Sequence, residues 1–306
     1  MKIIIVTGSG GLLAGALISS IANTDPDCVI YALSSHKDQT EKRFASLQQV
    51  RCVSNEDFLS GAIEIPAESD SVAVHCAFAR SNHTDDLLGA LSFTRRFLTY
   101  IKKLNVKRAI HISSQSVYRR VLLGHMLDED APIEPCDYYG LAKAAAEEIL
   151  CAALDDTGRE YANVRLASIS HNARINYLLA KRIQCGEHVD IISDQGISFI
   201  HVGDAVAAIC LLIYAKELRY RHYNVGAEIQ VTPLQLARKL SDLSQTLYQT
   251  PAADISIHIE QSSLSVLMSA KRMKDEFAWT PNYSLEDILL ETLRTERGRL
   301  KNEQKI

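Results

Sequence analysis

The N-terminal stretch of residues 2–18 constrains the fold more than any other part of the chain. An apolar, β-rich run breaks directly into a turn that contains several glycines, and a second apolar run follows. This order predicts a strand, a tight turn and a helix. Glycine lets the backbone bend sharply and approach a ligand, while free amide groups at the start of the helix attract a pyrophosphate. The stretch therefore predicts a dinucleotide site whose residues are Thr7, Gly8, Gly10, Gly11, Leu12 and Leu13.

The spacing of the glycines matches one particular kind of dinucleotide turn. The common fingerprint G-x-G-x-x-G would need a glycine at position 13, where the chain has Leu13. The chain instead contains Thr7-Gly8-x-x-Gly11-x-x-Ala14, which resembles the T-G-x-x-G-x-x-G/A turn of short-chain dehydrogenases. Taken alone, this motif leaves a structural turn without a nucleotide as an open alternative.

Composition and charge limit the classes of protein that fit. The 306 residues carry a net charge of -4 without long charged runs, so no nucleic-acid or membrane partner is predicted. The longest later apolar run, residues 205–215, is well short of the roughly 20 residues of a membrane span. The ten histidines show no metal-ligand spacing, and no metal site is predicted.

Cysteine usage and the N-terminus bear on the compartment. The seven cysteines form no C-x-x-C pair, and most of them lie inside apolar runs. Buried free thiols in a reducing cytosol are the favoured interpretation. The first apolar run is short and ends in glycines rather than in a cleavage site, so no secretory signal is expected. We therefore expect a cytoplasmic protein.

The end of the second predicted strand bears on the choice of dinucleotide. Residues 28–33 form a buried apolar run that is followed by Ser34, Ser35 and Lys37. An NAD-selective site would place an acidic residue about 20 positions past the glycines to bind the ribose hydroxyls. Serine hydroxyls and a lysine ammonium suit a 2′-phosphate better, so these residues predict a preference for NADP over NAD. Solvated loop residues without a ligand are the alternative.

Further strands alternate with helices along the chain. Apolar runs near residues 50–53, 71–77 and 108–114 predict strands, and helical periodicity lies between them. This rhythm implies an α/β fold with a parallel, doubly wound sheet. His75 is interpreted as a buried core histidine. Ala77, the small residue that ends the same run, is predicted to contact the dinucleotide.

A tyrosine and a lysine four residues apart carry the predicted chemistry. Tyr139 and Lys143 share one face of a predicted helix that begins near Asp137. A free tyrosine has a pKa of about 10, so near neutrality it needs an adjacent positive charge, which Lys143 can supply. Upstream, Ser114 ends a strand at the carboxyl edge of the sheet, where a hydroxyl could bind a substrate carbonyl. Y-x-x-x-K alone also fits a solvated helix pair.

Together these motifs resemble the extended short-chain dehydrogenase/reductase family, the NAD-dependent epimerase/dehydratase group. The resemblance covers nearly the whole chain, because the motifs occur in the family's order. Beyond the glycine turn, the matching segments are Ser113-Ser114-Gln115-Ser116-Val117-Tyr118, Tyr139-Gly140-Leu141-Ala142-Lys143, Val164-Arg165-Leu166, Phe199-Ile200-His201-Val202-Gly203-Asp204, Tyr223-Asn224-Val225-Gly226 and Phe277-Ala278-Trp279-Thr280-Pro281.

The resemblance implies a Rossmann-like doubly wound parallel sheet with a smaller C-terminal α/β substrate domain. The expected dinucleotide domain comprises residues 1–165 together with about 202–226. The expected substrate domain comprises residues 166–201 and 227–300.

The resemblance also implies roles for the chemical residues. Tyr139 would be the general acid/base, Lys143 would hold the nicotinamide ribose and lower the tyrosine pKa, and Ser114 would orient the substrate oxygen. Hydride would pass between the nicotinamide and a carbinol or ketone carbon of the substrate. The family further suggests a homodimer formed through the helices of residues 87–104 and 139–154.

The chain departs from the family on the substrate side. Nucleotide-sugar members carry R-D-F where this chain has Ile197-Ser198-Phe199, and the arginine of that motif binds the substrate diphosphate. A second phosphate arginine is expected near residues 259–262, which are Ile-Glu-Gln-Ser, and Ser168 stands where an asparagine is expected. Other arginines could supply the missing charge or could be solvated surface residues: Arg174, Arg182, Arg219 and Arg221.

The favoured hypothesis is an enzyme that uses NADP, or NAD, as an oxidoreductase or epimerase at a carbinol or ketone of a sugar-type small molecule. A nucleotide sugar is one candidate for that substrate. The enzymatic alternative is a ketoreductase for a small carbonyl compound without a nucleotide, as Ile197 suggests. The alternative from another class is a cofactor-binding protein without turnover, against which stand the retained Ser114, Tyr139 and Lys143.

Overall fold

The structure is a computed structural model that describes residues 1–61, 63–66, 68–104, 106–170, 174–193, 195–258 and 264–303. In chain order its strands are β1 (Lys2–Thr7), β2 (Val29–Ser34), β3 (Val50–Ser54), β4 (Asp70–His75), β5 (Arg108–Ser114), β6 (Val121–Leu122), β7 (Met126–Leu127), β8 (Glu160–Leu166), β9 (Ser168–Ile169), β10 (Val189–Ile191), β11 (Ile197–Ile200), β12 (His222–Val225), β13 (Ile229–Val231), β14 (Ile255–Ile257), β15 (Leu264–Ser265) and β16 (Leu267–Met268).

The α-helices are α1 (Leu12–Thr24), α2 (Lys37–Phe44), α3 (Asn55–Ser60), α4 (Thr84–Ile101), α5 (Tyr138–Leu154), α6 (Arg174–Cys185), α7 (Val202–Tyr214), α8 (Pro233–Tyr248), α9 (Lys271–Phe277) and α10 (Leu285–Glu303). Short 3₁₀ turns follow β5 and α5, at Gln115–Val117 and Asp155–Thr157.

Seven strands form one parallel sheet in the order β12-β8-β5-β4-β1-β2-β3. Because β1 has β2 on one side and β4 on the other, the direction of winding reverses at β1, as in a Rossmann-like fold. Thr7 at the end of β1 pairs with Leu33 and with His75. The carboxyl ends of these strands therefore meet at one edge, where open α/β sheets bind their ligands. The predicted fold class is confirmed.

Helices cover both faces of the main sheet, which explains why its strands are apolar without interruption. Ile4 and Val6 enter the core that α1 and α7 share, whereas Ile3 and Ile5 enter the core that α4 and α5 share. All four side chains are buried. A strand with two buried faces cannot show the polar alternation of a half-exposed one.

The smaller C-terminal part has a core of its own. It is built from α6, α8 and α10 around the small sheets β10-β14 and β13-β11-β9. Its buried side chains include Leu179, Phe199, Leu236 and Leu289. Two short pairs, β6 with β15 and β7 with β16, join the chain after β5 to the segment that precedes α9. The C-terminal part therefore reaches the carboxyl edge of the main sheet.

Element limits differ from the predicted ones by a few residues. The helix expected at residues 87–104 is α4, which begins earlier because Asp85 and Asp86 occupy its first turn, where acidic side chains favour the helix dipole. These polar residues carry no apolar periodicity, so the sequence pattern starts too late. The strand expected at residues 28–33 is β2, displaced by one residue.

Two expectations from composition can be compared with the structure. All seven cysteines are free, but only Cys28 is fully buried; four are half-buried, and the expectation of buried thiols fails for the exposed Cys136 and Cys185. Cys185 ends α6 and Cys136 lies in the loop before α5, and apolar neighbours in the sequence do not bury a residue at such an end. Across the described ranges, no helix is both long and apolar enough to span a membrane.

The N-terminus of α5 packs tightly against the 3₁₀ turn after β5. Asp137 caps the helix, and its Oδ1 accepts the amide hydrogen of Gly140 at 2.7 Å. A Cβ atom on Gly140 would lie 2.1 Å from the carbonyl oxygen of Ser116. Glycine is therefore required for this approach, which holds Tyr139 close to the end of β5.

Replacing this glycine should lower the stability of the protein. In Gly140→Ala the new methyl group forces α5 away from Ser116, and we expect a loss of about 1–3 kcal/mol in the free energy of unfolding. Gly298→Ala is the matched control, because Gly298 is an exposed residue of α10 with nothing within 4 Å of an added Cβ. The control should be neutral or more stable by about 0.5–1 kcal/mol. Chemical denaturation measures both values, and equal stabilities would contradict the packing argument.

Candidate active site

The glycine turn forms the floor of the crevice between β1 and β4. Gly8 has a φ of +70°, and a Cβ atom on it would lie 2.9 Å from the backbone of Ala77. This position therefore requires glycine for its conformation and for the close approach. Gly10 and Gly11 are exposed, and Gly11 is the N-cap of α1, which begins at Leu12. The backbone at the turn is thus accessible to a ligand.

Thr7 joins the ends of β1 and β4. Its hydroxyl accepts the amide hydrogens of Cys76 and Ala77 at 3.1 and 3.0 Å, so its own proton is donated to Nδ1 of His75 at 2.8 Å. His75 is then the Nε2–H tautomer, which donates to Thr94 at 2.9 Å. Burial lowers the pKa of His75 to about 3, so the ring is neutral. His75 is a buried core residue, as expected.

A cavity of about 760 Å³ opens at the carboxyl edge of the main sheet. It brings together Ser114, Tyr139 and Lys143, the three predicted catalytic residues, and it reaches Leu13 in the first turn of α1. Its volume lies within the range of roughly 300–1,000 Å³ that is typical of small-molecule sites. The remaining predicted dinucleotide residues of the turn lie beside this cavity along the β1–β4 crevice and not in its wall.

One face of α5 places the chemical residues. Tyr139 and Lys143 lie one turn apart and point to the last residues of β5. The Ser114 hydroxyl hydrogen-bonds to Tyr139. The Nζ atom of Lys143 donates to the carbonyl oxygen of Ile112 at 2.7 Å. Helix and strand thus fix both side chains at the cavity wall.

Glu147, one turn further along α5, anchors this helix face through a buried ion pair. Its carboxylate accepts the Ser113 hydroxyl proton and lies 2.8 Å from Nη2 of Arg165 on β8. Both charged side chains are only 4% exposed. Arg165 also donates to the hydroxyl of Tyr118 at 2.8 Å, and Tyr118 donates to Asn224 at 2.9 Å. Because each buried charge is hydrogen-bonded, the network favours one arrangement of α5 on the sheet.

The ammonium group of Lys143 is almost fully buried. The residue is 3% exposed, and its Nζ atom lies 3.9 Å from the ring centre of Phe78. Burial lowers the pKa of Lys143 to about 7, although the neighbouring Cys76 and Glu147 act in the opposite direction. The charge state of this lysine therefore changes near neutral pH.

The phenol of Tyr139 is subject to opposing influences. Its pKa is raised overall, because burial outweighs the positive charge of Arg80 and the side-chain hydrogen bond with Ser114, which both lower it. The carboxylate of Asp137 acts with burial. A tyrosine in this position therefore depends on nearby cations and hydrogen-bond donors to exchange a proton near neutrality.

The side of the crevice predicted to bind the dinucleotide contains two residues that the sequence did not single out. The Nη1 atom of Arg43 on α2 donates to the carbonyl oxygens of Gly10 and Gly11 at 3.1 and 3.0 Å. Asn55 begins α3, and its Oδ1 is buried without a hydrogen-bond partner in the described part of the chain. Such an orphaned acceptor after β3 fits the amino group of an adenine. Neither residue lies in a motif, since only the folded chain brings α2 and α3 to this edge.

The three residues predicted for a 2′-phosphate have different surroundings. Ser34 is buried, and its Oγ accepts the amide hydrogen two residues later at 2.9 Å. A Cβ atom on Gly10 would lie 3.8 Å from that Oγ, so Ser34 borders the glycine turn. Ser35 is exposed, and the Nζ of the half-buried Lys37 lies 3.6 Å from Glu41 on the same helix. Of these three residues, Ser34 is therefore the one that lies next to the glycine turn.

On the side predicted to bind the substrate, a smaller cavity of about 130 Å³ adjoins the main one. Ile197 lines it, and Ser168, which accepts a hydrogen bond from Gln115 at 3.1 Å, lines both cavities. Three of the arginines that could replace the missing phosphate-binding arginines do not line either cavity: Arg182, Arg219 and Arg221. The side chain of Arg174 and residues 259–262 lie outside the described residues.

Residues 4–226 match the model of the NAD dependent epimerase/dehydratase family. The chain belongs to this family, as its motifs predicted. It is an enzyme of the extended short-chain dehydrogenase/reductase type, and its cofactor is a nicotinamide dinucleotide.

Individual relatives and solved structures that resemble this chain are consistent with this family assignment. The chain is 25% identical over 272 residues to a dTDP-D-glucose 4,6-dehydratase of Bos taurus. The alignment covers 79% of this chain and 73% of the relative. The chain superposes with a TM-score of 0.79 and 18% identity on a dTDP-glucose 4,6-dehydratase of Bacillus anthracis in complex with NAD, over 97% of each chain. A UDP-glucuronic acid 4-epimerase of Bacillus cereus in complex with NAD gives a TM-score of 0.79 at 18% identity, over 98% of this chain and 99% of the other. At these identities the solved structures support the fold.

Removing the buried ammonium should change how stability depends on pH. The pKa of Lys143 is about 7 in the folded protein and about 10.4 in an unfolded chain. Between these values the unfolded state binds more protons, so the stability of the wild type rises with pH. Lys143→Met lacks this titrating group, so its own stability does not gain from the rise in pH. The unfolding free energy of the variant minus that of the wild type should therefore fall by a few kcal/mol between about pH 6.5 and about pH 9.5.

Denaturant unfolding of both cofactor-free proteins across this pH range measures the effect. A difference in unfolding free energy that stays constant with pH would contradict a depressed pKa for Lys143.

Proposed function

We propose that this chain is an NAD(P)-dependent oxidoreductase or epimerase that transfers hydride at a carbinol or ketone carbon of a sugar-type small molecule, with nucleotide sugars among the candidates. One observation carries the proposal, namely that Ser114, Tyr139 and Lys143 line a single cavity of about 760 Å³. The relatives named above, which are a dTDP-D-glucose dehydratase and a UDP-glucuronic acid epimerase, support a sugar-type substrate.

Each of the three side chains has a distinct role in this proposal. Tyr139 gives a proton to the substrate oxygen or removes one from it. Ser114, whose hydroxyl already faces Tyr139, hydrogen-bonds the same oxygen and orients it. Lys143 stabilises the tyrosinate by its charge and holds the nicotinamide ribose. The dinucleotide, when bound, accepts or supplies the hydride.

The crevice between β1 and β4 is the proposed dinucleotide site. Its accessible glycine turn and the orphaned oxygen of Asn55 support this assignment. The residues proposed to hold the dinucleotide are Thr7, Gly8, Gly10, Gly11, Leu12, Leu13, Ser34, Ser35, Lys37, Ala77, Tyr139 and Lys143.

We further propose that the dinucleotide is preferentially NADP and that Arg43 binds its 2′-phosphate. The guanidinium lies against the glycine turn, on which Ser34 also borders. A Cβ atom on Gly15 would lie 2.0 Å from this guanidinium, so the small residue on α1 makes room for it. Arginine binds a phosphate with paired, charge-assisted hydrogen bonds, which a bare ribose cannot accept as well.

The proposed acid/base role predicts a selective loss of turnover. Tyr139→Phe removes the phenolic proton and leaves the ring, so we expect at least a hundredfold loss of turnover, with the dissociation constant for NADPH nearly unchanged. Tyr138→Phe is the matched control, because Tyr138 is an exposed neighbour on α5 and should retain full activity. Steady-state assays with any accepted substrate and a binding titration measure both quantities. Substantial residual turnover in Tyr139→Phe would remove the assignment.

The proposed phosphate contact predicts a change in cofactor preference. Arg43→Ala should raise the dissociation constant for NADPH about tenfold or more, since a charge-assisted hydrogen bond contributes about 1.5–3 kcal/mol. The dissociation constant for NADH should change less than about twofold by the same reasoning. Lys42→Ala, on an exposed residue of the same helix, is the control for lost charge. Equal weakening of both cofactors in Arg43→Ala, measured by fluorescence titration, would refute the role of Arg43.

A second candidate activity follows from the substrate side. Ile197 lines the smaller cavity, where an apolar side chain offers no hydrogen bond to a diphosphate. This observation favours a ketoreductase for a small carbonyl compound without a nucleotide. Thermal shift of the NADPH complex with UDP-glucose separates the two candidates, because a ligand that binds raises the melting temperature.

We also propose a cytoplasmic homodimer with two domains. Exposed apolar side chains of α4 and α5, among them Leu88 and Leu141, support the dimer face. Sedimentation would then give twice the chain mass of 34.0 kDa. The separate C-terminal core supports domain limits of 1–165 with about 202–226, and of 166–201 with 227–300.

A further inference from the structure

The smaller cavity extends the main one away from the dinucleotide crevice. The two cavities share part of their walls, so a molecule at Ser114 and Tyr139 can reach from one into the other. The shared residues are Gln115, Ser116, Asp137 and Ser168. The extension measures about 130 Å³, which is below the roughly 300–1,000 Å³ of a complete small-molecule site. It therefore has room for one substituent of a ligand.

Arg120 supplies positive charge to this extension. The residue follows the 3₁₀ turn after β5, its side chain is exposed, and it lines the extension together with Ile197. Within the described ranges Arg120 forms no ion pair, whereas its neighbour Arg119 lies 3.7 Å from Glu134. The guanidinium of Arg120 is thus available to an anion in the extension.

The acidic side chain of the extension is already engaged by the backbone. Asp137 lies in the wall, but its Oδ1 accepts the amide hydrogen of Gly140 at 2.7 Å as the cap of α5. The shared Ser116 and Ser168 are neutral hydroxyls that offer hydrogen-bond donors, whereas the amide of Gln115 already donates to Ser168 at 3.1 Å. The chemistry of the wall therefore suits an anion with several acceptor oxygens.

We propose that the extension is a phosphate subsite in which Arg120 binds the phosphate of a phosphorylated sugar. This inference rests on the proposed function of the main cavity as the substrate site. A planar guanidinium pairs with two phosphate oxygens at once, so it holds a phosphate in one orientation. The sugar then lies at the shared wall, with its reacting carbon at Ser114 and Tyr139. Arg120 takes the role expected of an arginine at position 197, from a different element.

Two kinds of substrate carry this chemistry. A sugar phosphate would place its single phosphate in the extension. A nucleoside diphosphate sugar would place the phosphate next to the sugar there, and its nucleoside would lie outside the extension, because the volume of about 130 Å³ cannot hold it.

The test titrates the NADPH-bound protein with pyrophosphate, so that the dinucleotide crevice is already filled. Calorimetry should show saturable binding to the wild type. Arg120→Gln should weaken this binding about tenfold or more, as expected for loss of a charge-assisted contact. Arg119→Gln, which removes the same charge from the adjacent residue, should bind within about twofold of the wild type, since Arg119 faces Glu134. No saturable binding, or equal binding to Arg120→Gln and the wild type, would overturn the proposal.

The same titration with glucose 1-phosphate and with UDP-glucose distinguishes the two sources of phosphate. Whichever ester binds should lose about tenfold in Arg120→Gln, and an ester whose affinity is unchanged would overturn the proposal. Arg120→Lys should recover part of the affinity, because the charge is kept while the planar fork is lost. NADPH binding and the Tyr139→Phe assay report on the proposed function separately, so failure of the subsite and failure of the enzyme are distinguishable.

Discussion

The docking of α5 on β5 is the interaction on which the site depends. Three successive turns of the helix each hydrogen-bond one of the last three strand residues: Tyr139 with Ser114, Lys143 with the carbonyl of Ile112, and Glu147 with Ser113. The outermost contact needs the close approach at Gly140, and the innermost is secured by the buried charge of Arg165. Because the contacts lie on one helix face, a shift of α5 would disturb all of them together.

Much of this arrangement follows from local sequence. A strand that is apolar on both faces must be covered on both sides, so the isoleucines of β1 predict a central strand with helices around it. The glycine turn marks the end of that strand, and residues four apart in a helix share a face. These rules place Ser114, Tyr139 and Lys143 at one edge of the sheet, where the structure brings them to one cavity.

The rest could not be predicted, because it depends on how exposed segments fold. Lys37 and Arg43 are both cations of α2, yet the first lies near Glu41 and the second on the glycine turn. Arg119 and Arg120 are adjacent in the sequence, yet Arg120 lines the smaller cavity while Arg119 lies near Glu134. The direction in which each of these side chains points depends on the phase of a helix or on the conformation of a turn. Residue type and motif spacing determine neither the helix phase nor the turn conformation.

The hydroxyl of Thr7 has a consequence for how a ligand is received. It uses both acceptor positions and its proton within the protein, and it fastens the last residues of two central strands to each other without water. Because the ends of these two strands are already ordered before a ligand binds, they lose little conformational entropy on binding. The conformational entropy that is lost on binding then comes from side chains at the edge of the site. A long side chain such as Arg43 can adopt several rotamers, and a bound ligand restricts them.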